Sequence, residues 1–358
     1  MGVPLHELST SDVSPDSLGV ALDRLIEDLD KNFEHDLFHR SDTSNFVVCL
    51  SKRDVTNERR ELISLLCRLV AGRIFVILVD EDSSEKLNID VTAQCHHTTT
   101  GEYLCAELIE VVVGRDSLVR IPSLVYANAL VGFPVDVIFL GDTIPSLCLD
   151  SILPLAERVF FHGAQMSGRT SQLRRLLSHT DQLVDLLWIQ LSGWRGELKE
   201  VFSSQRLIQI LPALSRIHLS FGTRGSYGAL SCLYLAGWIL DRLHLDVVAV
   251  GSRYFECRLP SGGMVELICE HRSDKNADFL ALQFGAQDNE YVRISHDRFF
   301  ETQISLAGIT RTTHNEHDSN SVTHCLENYF LVGESVVNYR GAIERALELQ
   351  SLRSGFQG

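Results

Sequence analysis

Hydrophobic positions along this chain change period several times, and each change marks an element. Leu18, Leu22, Leu25, Ile26, Leu29 and Phe33 recur at helical spacing behind Ser14-Pro15, a cap followed by proline at the first helical position, so a helix opens the chain. "NFVVCL" (Asn45 to Leu50) and "RIFVILV" (Arg73 to Val79) are short, near-continuous apolar runs, which predicts buried strands. Between them, "NERRELISLLCRLVAG" (Asn57 to Gly72) has an asparagine cap, helical spacing and a terminal glycine. Together these segments predict a βαβ unit. "NIDVTAQC" alternates Ile89, Val91, Ala93 and Cys95 on one face, and "ELIEVVVG" (Glu107 to Gly114) reads as a further strand. Helix Asp116 to Leu130, strand Pro134 to Leu140, helix Pro145 to Glu157 and strand Arg158 to His162 follow. Such alternation predicts an α/β fold: a mixed sheet with helices on both faces.

"GAQMSGRTSQ" (Gly163 to Gln172) is polar and glycine-containing, and marks a junction. Helical patterns run from there through Leu214. Strand "RIHLSF", a glycine-rich turn, helix Ser226 to Leu245, strand "DVVAV" and the hairpin "RYFECRL", "PSGG", "MVELICEH" come next. "DFLALQF" and "EYVRIS" are two more strand candidates, ahead of a polar segment near 311 to 324 and a closing helix, Glu334 to Leu352. The expected organisation is a helical lead-in over 1–40, an α/β domain over 41–165 and an α+β domain over 166–358.

Composition supports two folded parts. The chain's 358 residues exceed one ordinary core, and 45% hydrophobic with 22% charged residues is globular usage. A net charge of −15 repels phosphate backbones and anionic lipid surfaces, so neither nucleic acid nor a membrane is expected as partner. The most apolar run, Gly228 to Leu240, stops at Asp241-Arg242, short of the roughly 20 residues that cross a bilayer. With no basic-then-apolar amino terminus, a cytoplasmic location is expected. Nine cysteines, without C-x-x-C spacing and mostly inside apolar runs, predict buried thiols in a reducing compartment.

Several constellations have the residue types of a site. "FGTRGSYG" places Gly222, Gly225 and Gly228 between a strand and a helix, where a phosphate-cradling loop lies, but the spacing is neither G-x-G-x-x-G nor a Walker loop. Tight-turn glycines are the other reading. His314, Glu316, His317, His324 and Cys325 in "HNEHDSNSVTHC", and Cys95 with His96-His97, are zinc-type ligands without the short paired spacings of a structural site. Asp80 to Asp82 follows a strand end, where α/β ligand sites form, and also reads as a solvated acidic loop. Cys257 and Cys269 lie on facing strands of the hairpin, as a redox pair or as two small core residues. No G-x-S-x-G, no cysteine in a polar context and no paired carboxylates appear, so no catalytic residue and no cofactor is expected.

One stretch remains: "DLLWIQLSGWRGELKEVF", Asp185 to Phe202. Leu183, Leu187, Leu191 and Trp194 follow helical spacing, and Trp188, Leu198 and Phe202 extend that face across Ser192-Gly193. A core helix interrupted at glycine is one reading. Tryptophan beside Arg195 is equally the composition of an interface hot spot.

The stretch resembles the motif of the glucose-6-phosphate dehydrogenase assembly protein family (OpcA). "LVRIPSLVYANALVGFPVDVIFLGD" (Leu118 to Asp142), "LDSILPLAERVFFHGAQ" (Leu149 to Gln165) and "LAGWILDRLHLD" (Leu235 to Asp246) are similar to further segments of that family in the same order. Ala71-Gly72 and Ile138-Phe139 depart from the family's His-Pro and tryptophan residues, which makes this a divergent member. The resemblance implies a non-catalytic assembly factor and activator, not an enzyme, that binds glucose-6-phosphate dehydrogenase and favours its active oligomeric state. Trp188, Trp194 and Arg195 would then bind the partner or position the two domains. Two alternatives stand beside it: a nucleotide- or sugar-phosphate-binding enzyme using the Gly222 to Gly228 turn, and a metal-binding scaffold using His314, His317, His324 and Cys325.

Overall fold

A central pair of strands, β2 (Ser44–Ser51) and β3 (Gly72–Asp80), runs parallel through the first unit with α2 (Asn57–Leu69) between them. All eight residues of β2 are buried, which is why the segment reads as an unbroken apolar run. The computed structural model describes residues 6–32, 44–70, 72–84, 86–97, 103–141, 144, 146–163, 170–179, 182–222, 228–252, 254–272, 281–286, 289–296, 299–306, 309–315, 322–332 and 339–355.

Unit 1 comprises Met1–Asp185 with Phe330–Val332. Its remaining elements are β1 (His6–Thr10), α1 (Leu18–Asn32), β4 (Leu87–His97), β5 (Tyr103–Gly114), α3 (Ile121–Asn128), β6 (Val135–Phe139), α4 (Ser146–Ser151), β7 (Arg158–Phe161), α5 (Thr170–His179) and β8 (Leu183–Asp185). They build one eight-stranded sheet ordered β1-β4-β5-β3-β2-β6-β7-β8. The six strands from β5 to β8 are mutually parallel, while β4 adds antiparallel to β5 and β1 antiparallel to β4. Among the parallel strands the chain visits the positions third, second, first, fourth, fifth, sixth, and so reverses direction between β2 and β6. That is the doubly wound order, with its switch point at β2/β6.

Local chemistry explains the boundaries. The segment expected as one helix from Asp116 to Leu130 begins instead as a 3-10 turn (Arg115–Arg120), with α3 starting one residue before Pro122. Proline has no amide hydrogen to give and settles in a helix's first turn. β8 lies inside the region expected to be helical. It pairs with β7, Val159 opposite Leu183 and Phe161 opposite Asp185, so the first unit runs to Asp185 and not to 165. Cys95 and Cys105 face each other across β4 and β5 and form a disulfide, in contrast to the expected free thiols. Cys49, Cys67, Cys148, Cys232, Cys257, Cys269 and Cys325 are buried thiols, as expected.

Unit 2 comprises Leu186–Tyr329 and Gly333–Gly358. It opens with α6 (Leu186–Gln190), α7 (Ser192–Ser203) and α8 (Gln205–Ile208), then β9 (Arg216–Phe221) and α9 (Ala229–Leu243). β10 (Asp246–Val250), β11 (Tyr254–Arg258), β12 (Met264–His271), β13 (Ala281–Ala286), β14 (Asn289–His296), β15 (Phe300–Leu306) and β16 (Ile309–Asn315) follow, with α10 (Val322–Val332) and α11 (Tyr339–Gly355) last. The sheet order is β10-β11-β12-β9-β13-β14-β15-β16, antiparallel except for β12 beside β9. Alternate residues Phe255, Cys257, Val265, Leu267, Ile217, Leu219, Leu282 and Phe284 are buried, so one face of the sheet forms the core. α9 packs on β9 and β12 and against α11. Among the described residues, no helix is long and apolar enough to cross a membrane.

Candidate functional site

In a doubly wound sheet, ligands seat outside the carboxyl ends of the strands at the switch point. Here that edge carries Ser51 and the single 3-10 turn Lys52–Asp54 after β2, Asp80 and its successors after β3, and Leu140-Gly141 after β6. Lys52 donates from Nζ to Asp80 Oδ2 at 2.9 Å, and Lys86 Nζ stands 3.9 Å from the same oxygen. Arg53 pairs with Asp82 and lies 3.9 Å from Glu81. A close backbone approach holds the acidic turn: Gly114 N donates to Lys86 O at 2.7 Å, Arg115 N to Ser83 O and Asp116 N to Ser84 O. A Cβ at Gly114 would come within 2.6 Å of Ser84 O, so glycine is required there.

Charge at this edge is internally matched. The hydrogen bond from Lys52, with its charge, holds the Asp80 carboxyl below the ordinary carboxylate range against the opposing effect of burial, and Asp80 in turn raises Lys52. Because the folded value of Asp80 is depressed, the pair's stabilisation is present above the ordinary value of 3.8 and is lost as pH falls through the folded value. Unfolding midpoints at pH 5 and pH 3 should therefore differ more for the natural chain than for Lys52→Gln; equal differences would show that the pair contributes nothing.

Beneath the edge, Cys49 on β2 and Cys148 on α4 are hydrogen-bonded thiols, and burial raises Cys49 well above its usual value, with Cys148 adding to the shift. Burial likewise pushes Cys67 and Cys257 up to about 12. Burial thus keeps Cys49, Cys67 and Cys257 protonated at neutral pH, which makes them poor nucleophiles.

The other expected site residues lie elsewhere. Gly222 follows β9 and Gly228 precedes α9, both in unit 2, whereas the doubly wound topology is in unit 1; Gly225 is outside the described residues. His314 sits on β16 with its ring 5.6 Å from Phe299, His324 and Cys325 sit on α10, and Glu316 and His317 are outside the described residues. Cys95 is engaged in its disulfide. Among the described residues no group of three or more His, Cys, Asp or Glu is arranged to hold a metal ion. Register sets Cys257 opposite Val265, four residues from Cys269, so the two cysteines do not face each other.

Trp188 and Trp194 have 0% of their surface exposed, and Arg195 has 8%. The Arg195 guanidinium lies 3.9 Å over the Trp188 ring and donates to the Trp188 carbonyl. Trp188 meets Tyr339 edge-on at 5.8 Å, and Trp194 meets Phe300 edge-on at 5.0 Å. Both rings fill the interior of unit 2. Asp185, which opens the same motif, is buried at the end of β8 and accepts from Gly163 N at 2.8 Å.

Solved structures share this architecture at low identity. A 3-ketoreductase from Actinomadura kijaniata, in complex with TDP-benzene and NADP in an open conformation, matches with a TM-score of 0.50 and 12% identity over 87% of this chain and 98% of its own. A glucose-6-phosphate 1-dehydrogenase from Mycobacterium avium matches at 0.47 and 10% identity, over 86% and 90%. A biliverdin reductase from Synechocystis sp., in complex with biliverdin and NADP+, matches at 0.46 and 10%, over 87% and 98%. No family model and no curated protein matches the chain. The fold is mixed α/β and Rossmann-like, with an N-terminal and a C-terminal domain, similar to that of the 3-ketoreductase.

This corrects the expectation of a non-catalytic assembly factor and activator of glucose-6-phosphate dehydrogenase, and with it the expectation that the chain is not an enzyme. A 3-ketoreductase solved with NADP has a similar architecture, which accords better with the nucleotide- or sugar-phosphate-binding alternative. Lys52 and Arg53 escaped the sequence reading because a motif search at a strand-to-helix turn looks for glycine; the usable signal was two adjacent cations between a buried strand and a capped helix.

Proposed function

We propose that this chain is a nucleotide- or sugar-phosphate-binding enzyme whose ligand seats at the carboxyl edge of the unit 1 sheet, against Lys52 and Arg53. The observation that carries the reading is the strand order, which reverses between β2 and β6 and so opens a crevice at that edge. Supporting it, Lys52 and Arg53 stand on the turn that enters α2 and are 46% and 63% exposed, within reach of an anion.

Thermal shift tests the reading directly. With a panel of nucleotides and sugar phosphates, a ligand at a hundred times its Kd stabilises by about 2.7 kcal/mol, a rise in Tm of roughly 5–10 °C for a domain of this size. At least one compound should give that rise, and Lys52→Gln with Arg53→Gln should abolish it. A panel that leaves the Tm unmoved defeats the proposal.

A further inference from the structure

The turn between β2 and α2 is where a doubly wound fold seats a dinucleotide pyrophosphate, and glycines make that possible. One forms the tight turn, a second lets the backbone approach the phosphates, and a third lets helix and strand pack closely. In this chain the six positions from Ser51 to Thr56 all carry side chains. Two amides at this turn are already engaged within the chain, those of Val55 and Arg59. Thr56 caps α2 by accepting from Arg59 N at 3.3 Å, Val55 N donates to Lys52 O, and Arg60 N donates to Thr56 O. Glu58 puts a carboxylate in the first turn of α2, where the helix dipole favours an anion.

The facing strand end adds to this. Asp80, Glu81 and Asp82 are three carboxylates against three cations, Lys52, Arg53 and Lys86, and Asp54 lies 4.0 Å from Arg59. The edge has no surplus positive charge for a diphosphate held by backbone alone, and the residues at the turn do not fit a nicotinamide dinucleotide as the fold ordinarily holds one. What the edge does have is two long, exposed cationic side chains bound only to exposed or half-buried carboxylates, which can exchange partners. A phosphate monoester carries about 1.5 to 2 negative charges at neutral pH, close to the charge of the two carboxylates, Asp80 and Asp82, that it would replace.

Resting on the function proposed above, we infer that the site takes a phosphate monoester gripped by the Lys52 and Arg53 side chains, and that its β2–α2 turn is closed to a dinucleotide pyrophosphate. Binding exchanges Asp80 for the ligand at Lys52 and Asp82 for the ligand at Arg53, and no covalent step is involved. Calorimetric titration of the full chain with glucose 6-phosphate, ribose 5-phosphate and AMP in one arm, and NAD+, which carries a pyrophosphate and no monoester, in the other, tests the inference. At least one monoester should bind, at least tenfold tighter than NAD+, with the binding lost in Lys52→Gln with Arg53→Gln. Tighter binding of NAD+ would overturn the closed turn while leaving the proposed function standing. Binding of neither class overturns both. Monoester binding that survives the double substitution overturns the assignment of Lys52 and Arg53.

Discussion

Trp194→Ala is expected to lower the stability of unit 2 by roughly 3–5 kcal/mol, seen as a shift of its chemical-denaturation midpoint. The ring is fully buried, meets Phe300 edge-on at 5.0 Å and lies 6.3 Å from the His296 ring. Truncation loses the transfer free energy of the indole and the edge-to-face contact, and leaves a void that α7 and β15 close only in part. Trp194→Phe retains an aromatic plane against Phe300 and should recover more than half of the loss. A shift below about 1 kcal/mol for the alanine variant would show that the site collapses freely and that the ring is not a core element.

Gly237→Val should cost roughly 3 kcal/mol or more, at or above the usual range for overpacking. A Cβ at Gly237 would stand 2.2 Å from Ala342 O and 2.8 Å from Ala346 N. Both are backbone atoms of α11, so no side-chain rotation relieves the clash and the two helices must separate. Their separation exposes the side of α9 that Gly237 shares with Tyr234 and Leu240, both buried. Gly196 on α7 is the control, since a Cβ there meets nothing within 4 Å. Gly196→Ala should be neutral or stabilising by up to about 1 kcal/mol through helix propensity. Equal denaturation midpoints for the Gly237 and Gly196 variants would refute the close helix contact.

The elements legible in the sequence are those whose burial is uniform along their length. β2 and β3 carry unbroken apolar runs, Phe46 to Leu50 and Ile74 to Val79, because both faces are buried, and β11 and β12 alternate because only one face meets the core. Two of the missed elements are an edge and a fragment. β16, "ITRTTHN", is an edge strand with most of its residues exposed, so its composition is that of a polar loop. β8 has three residues, too few to establish a period against the helical pattern on either side. Of the candidate site, Asp80 to Asp82 was visible as an acidic turn after a strand. Lys52 was not, because its significance depends on a carboxylate 28 residues away.

By itself the sequence determined where the chain is helical or extended over its strongly periodic segments, and that a helix begins at Asn57, although its cap is Thr56 and not the expected asparagine. Period, caps and turn residues are local properties, written within a few positions of where they act. The tertiary structure alone decided the strand order β5-β3-β2-β6-β7-β8, the extension of the first unit to Asp185, and the placement of Trp188 and Trp194 in a core. It also decided which cations meet which carboxylates at the sheet edge. These depend on which apolar faces exclude water together across long separations, and that competition is settled only when the whole chain packs.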